Sequence, residues 1–399
     1  MSKITYLDNS ATTPVDPRVL KAMLPYFSTN FANASSIHFS GQEAMKAVVG
    51  ARAEISDWLG CEPKEVYFTS GATESDNLAI LGLIRAIIKR NPDFKPQVII
   101  SAIEHEAVLE PVLQLANSGL IDFSYLPVDA SGLVEINRLQ KLIKPETVLV
   151  SIMLANNEIG TIQPIKEIGE LITKLNTKRE RKIYFHTDAT QAPAYVNCNV
   201  RELQVDLMSL SAHKIYGPKG VGCLFIKQGT AIEPLVFGGG QEKKIRSGTY
   251  NTAGIVGFAE AVKLLRDKNI RAQENKTIKL LRDYLIKEIK KKIPETMVTG
   301  DLKARLSNNA SFVFKGVEGE SVILMLAQQG IMASTGSACS SGSLDPSHVL
   351  LAIGLKPENA HGSLRVTLGR FNKKEDVDRL IKHLPIVIEK LRKMSPLKN

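Results

Sequence analysis

Short runs of β-branched and aliphatic residues alternate with longer amphipathic segments through the first two-thirds of the chain. The runs at 65–69, 97–101, 123–127, 148–154, 183–187, 207–211 and 222–226 predict strands. Most are apolar along their whole length rather than at every second position. That pattern belongs to strands covered by helices on both faces, so it predicts an α/β layer fold. Turn chemistry such as Ser70-Gly71 and Tyr216-Gly217-Pro218 punctuates the runs.

From about residue 255 the period lengthens. Helical spacing continues to about 293, with Ile278, Leu281, Leu285 and Ile289 on one face and Pro294 as the stop. A β-like run at 310–314, a helix at 320–329, a Gly/Ser-rich loop and a charged C-terminal helix follow. These predict a second, smaller α+β unit, and 399 residues accommodate two fused domains.

Composition adds exclusions. With 44% hydrophobic and 23% charged residues, the chain reads as globular rather than disordered or fibrous. No stretch reaches the roughly 18 apolar residues of a membrane span, and residues 1–10 lack the apolar core of a secretory signal. Cys61, Cys198, Cys223 and Cys339 are scattered, which argues against a disulfide framework or a zinc site and points to a reducing, cytoplasmic setting. The net charge of +10 is spread out, and its densest runs, 178–182 and 290–292, read as solvated helix ends. Direct nucleic-acid binding is therefore not expected.

The candidate chemistry clusters just past predicted strands. Lys214, in Ser211-Ala212-His213-Lys214, precedes a glycine-rich turn that lets backbone approach a ligand. A desolvated lysine there could form a Schiff base with an aldehyde, although a lysine snorkelling from a surface loop would look the same. The turn from Thr69 to Asn77 joins a strand to a helix and could cradle a phosphate, or be ordinary N-capping. Asp188 could pair with a protonated pyridine nitrogen, or cap a helix. His105 could stack on a planar ring and shuttle protons, or be structural. In an open α/β sheet such strand ends line one crevice, so their combination carries more weight than any one of them.

The segments Ser70-Gly71-Ala72-Thr73-Glu74-Ser75, Asn156-Asn157-Glu158-Ile159-Gly160, Asp188-Ala189-Thr190-Gln191, Ser211-Ala212-His213-Lys214 and Arg246-Ser247-Gly248-Thr249 resemble those of cysteine desulfurases. So do the opening 6–13 and the late 364–370, and the likeness covers almost the whole chain. The resemblance is to class I members within the class-V aminotransferase family. It implies the fold-type I, aspartate aminotransferase-like architecture: a large domain at 14–257 around a mixed seven-stranded sheet, and a small α+β domain of 1–13 with 258–399.

It also implies roles. Lys214 would carry pyridoxal 5'-phosphate, Asp188 would bind the ring nitrogen, and His105 would stack on the ring. Ala72, Thr73, Ser211 and His213 would hold the phosphate, and Thr249 would reach the phosphate of a neighbouring subunit in a homodimer. Gln191 would approach the ring's phenolic oxygen, while Asn157 and Arg365 would face the substrate, L-cysteine. A guanidinium suits a carboxylate through two parallel hydrogen bonds.

Cys339 sits within Ser334-Thr335-Gly336-Ser337-Ala338-Cys339-Ser340-Ser341-Gly342-Ser343, too poor in bulky side chains to bury itself. A mobile loop at about 334–344 with a reactive thiol is predicted. The implied product is a persulfide on Cys339 for an acceptor protein serving iron–sulfur assembly or tRNA thiolation. The rival readings are a selenocysteine lyase, another pyridoxal-phosphate aminotransferase, or a non-catalytic sulfur-transfer scaffold. Cys339 tells against a plain aminotransferase; Lys214, His105, Asp188 and Arg365 together tell against a scaffold. Two departures from the family pattern are noted: Asn33-Ala34 stands where Asn-Pro is common, and the sequence closes at Ser395-Pro396-Leu397-Lys398-Asn399 where a docking tail is expected. The second leaves the acceptor open.

Overall fold

In the computed structural model, which describes residues 4–336 and 346–394, one sheet organises the first two-thirds of the chain. Cys339 lies outside these residues. After β1 (Thr5–Tyr6), which stands apart, come β2 (Val66–Thr69), β3 (Gln97–Ser101), β4 (Asp122–Leu126), β5 (Thr147–Ser151), β6 (Tyr184–Asp188), β7 (Leu207–Ser211) and β8 (Gly222–Ile226). Their order is β2-β8-β7-β6-β5-β3-β4. Only β8 runs against its neighbours, so the sheet is mixed and seven-stranded, as the pattern and the resemblance led one to expect. β5 ends earlier than its apolar run, yet the Ile152 and Leu154 N–H groups still donate to the His186 and Asp188 carbonyls.

Every residue of β3, β5, β7 and β8 is buried. Successive side chains alternate between two apolar layers, because a strand points neighbours to opposite faces. Ile99, Val150, Phe185 and Met208 meet Val48 and Ile55 of the helix Phe39–Leu59 and Phe258 and Val262 of the helix Thr252–Arg266. Val98, Ile100, Leu149 and Leu207 face Leu78, Leu83 and Val112 on the other side.

A further core joins Leu7 to the later chain. β9 (Thr296–Val298), β10 (Asn309–Phe314) and β12 (Ser363–Thr367) form an antiparallel sheet ordered β12-β10-β9, while β1 pairs in parallel with β11 (Ile331–Met332). Ile278, Leu285 and Ile289 of the helix Lys268–Lys292 pack there with Leu380 and Leu384 of the helix Lys374–Met394. The continuous helix expected at 255–293 is in fact two. Asp267 breaks it, its carboxylate accepting from the N–H groups of Asn269 (3.1 Å) and Ile270 (3.0 Å). An aspartate that caps a new helix overrides an unbroken apolar period. The first of the pair packs on the sheet and the second on the later core.

Gly222, the first residue of β8, sets how closely this strand approaches the turn after β2. A Cβ there would meet the Leu210 carbonyl oxygen at 2.5 Å and the Gly71 backbone at 2.8 Å. Overpacking of this kind costs about 1–3 kcal/mol. Gly222→Ala is therefore expected to lower the unfolding free energy by that amount, read as a lower urea midpoint at unchanged slope, and to weaken phosphate-ligand binding at the turn; an unchanged midpoint would show that the turn gives way freely.

Candidate active site

The ends of the parallel strands, together with β2 and the start of β8, open on one cavity of about 570 Å³. At the β2 end the chain turns through Ser70-Gly71 into the helix Ala72–Asn77. Thr69 Oγ1 lies 2.8 Å from Ser75 Oγ and donates to the Gly71 carbonyl at 3.0 Å, while the Ser70 N–H donates to Glu74 Oε2 at 2.7 Å. Arg246 Nε holds the same glutamate at 2.8 Å. The turn is thus braced from within and from the 246–249 segment. Ser211 and His213 line its far side. His213 Nδ1 lies 3.1 Å from Thr12 Oγ1, and burial, with Lys214 and Lys219 nearby, lowers its pKa to about 4. The imidazole is neutral at physiological pH.

Lys214 follows β7 by three residues. Its Nζ donates to the carbonyls of Ser10 and of Ala11, the latter at 2.9 Å. Gln191 Nε2 donates to the same Ser10 carbonyl at 3.0 Å. Ser10, Ala11 and Thr12 therefore form one wall of the cavity. Asp188 closes β6, with Oδ1 accepting from the Thr190 N–H at 2.8 Å. His105 caps the helix Glu106–Asn117: its Nδ1 accepts from the Ala107 N–H at 3.0 Å, which leaves the neutral ring's proton on Nε2. Burial lowers the His105 pKa, partly opposed by Asp188.

Arg365, on β12, is 3% exposed and reaches the cavity from the later core. Nη2 donates to Asp8 Oδ1 at 3.0 Å and Nη1 to the Asn157 carbonyl at 3.1 Å. Its Nε is buried without a partner, as are Ser10 Oγ and Thr190 Oγ1, and all three residues line the cavity. A buried polar atom left unpaired costs about 1–3 kcal/mol, so such atoms mark where a polar ligand belongs. Ala72, Thr73, His105, Asn157, Asp188, Gln191, Ser211, His213, Lys214 and Arg365 all come together here. Thr249 does not; it is exposed on the segment that Arg246 ties to the turn.

The sequence model of the aminotransferase class-V family matches residues 5–380. The cysteine desulfurase IscS of Methanosarcina thermophila is 50% identical over 396 residues, covering 99% of this chain and 95% of that protein. Cysteine desulfurase IscS 1 of Archaeoglobus fulgidus is 45% identical, with 98% and 99% covered. A solved NifS-like protein superposes with a TM-score of 0.88 at 35% identity, over 97% of this chain and all of that one. This chain belongs to the class-V aminotransferases, among the cysteine desulfurases. It is accordingly a pyridoxal-phosphate enzyme, and the cavity lining fits that cofactor: a braced turn with hydroxyl donors, the carboxylate of Asp188 and the amine of Lys214.

Around the desulfurase cavity lies a set of buried titratable groups that sequence reasoning did not single out. His186, two residues before Asp188, is fully buried, with Nδ1 2.8 Å from Ser151 Oγ, Nε2 3.1 Å from Ser209 Oγ and 3.5 Å from Asp76 Oδ1. Burial lowers its pKa to about 3. Asp76, on the cavity wall, is pushed well above the usual carboxylate range by burial and then by Asp188. Glu104, beside His105, is raised to about 8 and Glu158 to about 7, both chiefly by burial. Glu104 and Glu158 adjoin residues that were singled out, and adjacency to a strand end was the signal available for them. Asp8, which holds Arg365, stood inside the recognised opening 6–13, but nothing local indicated that pairing.

These shifts set a pH dependence. A carboxyl whose pKa is about 8 when folded and 4.5 when unfolded contributes stability that is lost as pH rises toward 8. Neutral His186 works in the opposite direction, but only up to the unfolded histidine value of 6.5. Between pH 6.5 and 8 the acids prevail, and Glu104 alone contributes a slope of about 1.4 kcal/mol per pH unit. Denaturation of the cofactor-free protein is expected to show stability falling across this window, and Glu104→Gln to flatten the fall. Parallel slopes for the two proteins would show that Glu104 is ionised in the native state.

Proposed function

We propose that this enzyme takes the sulfur of L-cysteine onto Cys339 as a persulfide, releases L-alanine, and passes the sulfur to an acceptor protein. The observation that carries the reading is the meeting of Lys214, Asp188, His105 and an Arg365 with a spare donor in one cavity. Among solved relatives, SspA, 34% identical with a TM-score of 0.78, is described in complex with cysteine. The reaction balances without an outside oxidant. The carbon–sulfur bond of the substrate breaks, a sulfur–sulfur bond forms to Cys339, the carbon gains the proton and is reduced, and the sulfur is oxidised.

Bound pyridoxal phosphate supplies an electron sink for charge developing at the substrate α-carbon. The turn at Ala72-Thr73, with Ser211 and His213, would hold its phosphate, and Asp188 would keep its ring nitrogen protonated. Lys214 Nζ, freed from the carbonyls of Ser10 and Ala11, moves the α-proton. His105, with its proton on Nε2, would lie over the ring and exchange protons beside it. Arg365 and Asn157 grip the substrate carboxylate and aim its thiol away from the turn. Cys339, as thiolate, accepts the sulfur.

The homodimer belongs to the same proposal. Phe31, Ile37, Phe39 and Phe237 are 74–91% exposed, far more apolar surface than scattered positions require, and exposed Thr249 stands ready to reach a second phosphate. A cytoplasmic setting agrees with the absence, among the described residues, of a helix long and apolar enough to cross a membrane. The proposed division into 14–257 and 1–13 with 258–399 is supported by the separate core that joins Leu7 to the later chain.

Cys339→Ser is expected to bind cofactor and cysteine normally while alanine production from cysteine falls by about 100-fold or more. Lys214→Ala should lose the cofactor's lysine-linked visible absorbance along with activity. Undiminished turnover by the Cys339 variant would remove it from the mechanism. Ile37→Asp is expected to shift light-scattering mass toward the monomer and to weaken cofactor binding in parallel; a monomeric wild type would end the shared-site reading.

A further inference from the structure

Tyr216 follows Lys214 by two residues and has no place in the mechanism above. Its φ is 66°, in the left-handed region. A bulky side chain there is an outlier, and glycine is the residue that takes this conformation without strain. The conformation has a plain use. It swings the Gly217 N–H back to the Ala212 carbonyl at 3.0 Å, the six-to-one bond of a left-handed helix cap, and Lys214 lies inside the span which that bond closes. Glycine at 216 would serve this purpose equally well, so the tyrosine is there for its side chain.

The backbone of Tyr216 is gripped by the start of the chain. In such a cap its N–H would ordinarily turn back to the carbonyl of residue 213. Here Thr13 Oγ1 stands between the two, accepting from the Tyr216 N–H at 2.8 Å and donating to the His213 carbonyl at 2.9 Å. The Asp16 N–H donates to the Tyr216 carbonyl at 2.9 Å. The side chain, 2% exposed, is gripped by the segment after β12. Its Oη accepts the Arg370 N–H at 2.8 Å, the Arg370 guanidinium lies 4.1 Å from the ring centre, and Phe371 meets the ring edge-on at 5.6 Å. A Cβ on Gly369 would come within 2.7 Å of Oη, so the seat has no slack. Arg370 is in turn tied to Asp16 at 3.0 Å and to Glu274 at 3.3 Å.

We propose that Tyr216 is a positioning residue for Lys214: a peg, seated by Gly369, Arg370 and Phe371, that holds the turn in the shape that aims the amine into the cavity. The inference rests on Lys214 being the residue that carries the cofactor. Without the peg, the backbone at 216 loses what keeps it left-handed. Relaxation toward negative φ takes the Gly217 N–H off Ala212, and the turn around Lys214 opens. Misplacement of about 1 Å is enough to slow a reaction roughly a hundredfold. Tyr216 contributes no atom to the reaction; it sets where the amine stands.

The test uses the full chain carrying Tyr216→Gly, Tyr216→Phe or, in parallel, Lys214→Ala. Each protein is stripped of cofactor and given saturating pyridoxal 5'-phosphate, and the rate at which the lysine-linked visible absorbance appears is followed. The reloaded enzymes then give kcat and KM for cysteine. Tyr216→Gly keeps a residue suited to the left-handed backbone but removes the peg, and the absorbance is expected to appear about tenfold more slowly, with kcat reduced alike and KM unchanged. Tyr216→Phe keeps the ring and loses only the bond from the Arg370 N–H, so it is expected to fall about threefold and, being the milder change, to test the idea even if the glycine variant does not fold. A wild-type rate in either variant overturns the proposal, for the glycine variant because the turn would then need only its backbone shape. So does a rise in KM matching the fall in rate, which would mark a general structural role. If Lys214→Ala retains the lysine-linked absorbance, the cofactor assignment itself fails; failure of the peg leaves that variant without the absorbance, so the two results are distinguishable.

Discussion

A strand buried on both faces can offer polar side chains to a ligand only where it ends. In this molecule β3, β5, β6 and β7 run parallel and are nearly or wholly buried, so their polar residues collect past one edge of the sheet. His105, Asn157, Asp188 and Lys214 follow or close these four strands in turn. β8 runs the other way, which sets its first residue, Gly222, opposite both Thr69 and Ser211, the last residues of β2 and β7. That reversal brings the turn after β2 to the same cavity as the lysine. The apolar layers thus do more than stabilise the fold, because they leave the chemistry one place to be.

The same burial governs charge. Several acids and a histidine lie in or under the cavity wall, and burial drives Asp76, Glu104 and His186 toward their neutral forms. A cationic ring would otherwise meet several competing carboxylates. Neutralising the deeper ones favours the proposed pairing of Asp188 with the ring nitrogen, while Arg365 donates to Asp8. Selectivity for one protonation pattern is therefore a consequence of depth as much as of residue type.

The strands and the residues that end them were legible in sequence because each is encoded within a few positions: an apolar run, then a polar residue, then a glycine or a cap. Lys214, Asp188 and His105 were found in this way, and the family resemblance supplied Arg365 and Asn157, whose neighbours in sequence are uninformative. The break at Asp267 was missed because periodicity continues across it and only the capping geometry reveals it. The pairing of Asp8 with Arg365 was missed for a different reason: the partners are 357 residues apart, and no local pattern encodes a pairing of that span. Glu158 stood inside a recognised motif, but its contact with Ser347 arises only when distant segments close on each other.

The wall built from Ser10, Ala11 and Thr12 has a bearing on how the molecule is made. β1 pairs with β11, Asn9 Nδ2 bonds the Thr367 carbonyl at 2.8 Å, and Arg370 Nη1 reaches Asp16 Oδ2 at 3.0 Å. Residues 5–16 thus wait for residues 331–370 before they can take their places. A nascent chain can assemble most of its central sheet while still on the ribosome, since those strands lie within residues 66–226. It cannot complete the cavity that holds Lys214 until residues 365–370 emerge. A product that stops before residue 365, however well its sheet folds, lacks Arg365 and the partners that hold Asn9 and Asp16 in place.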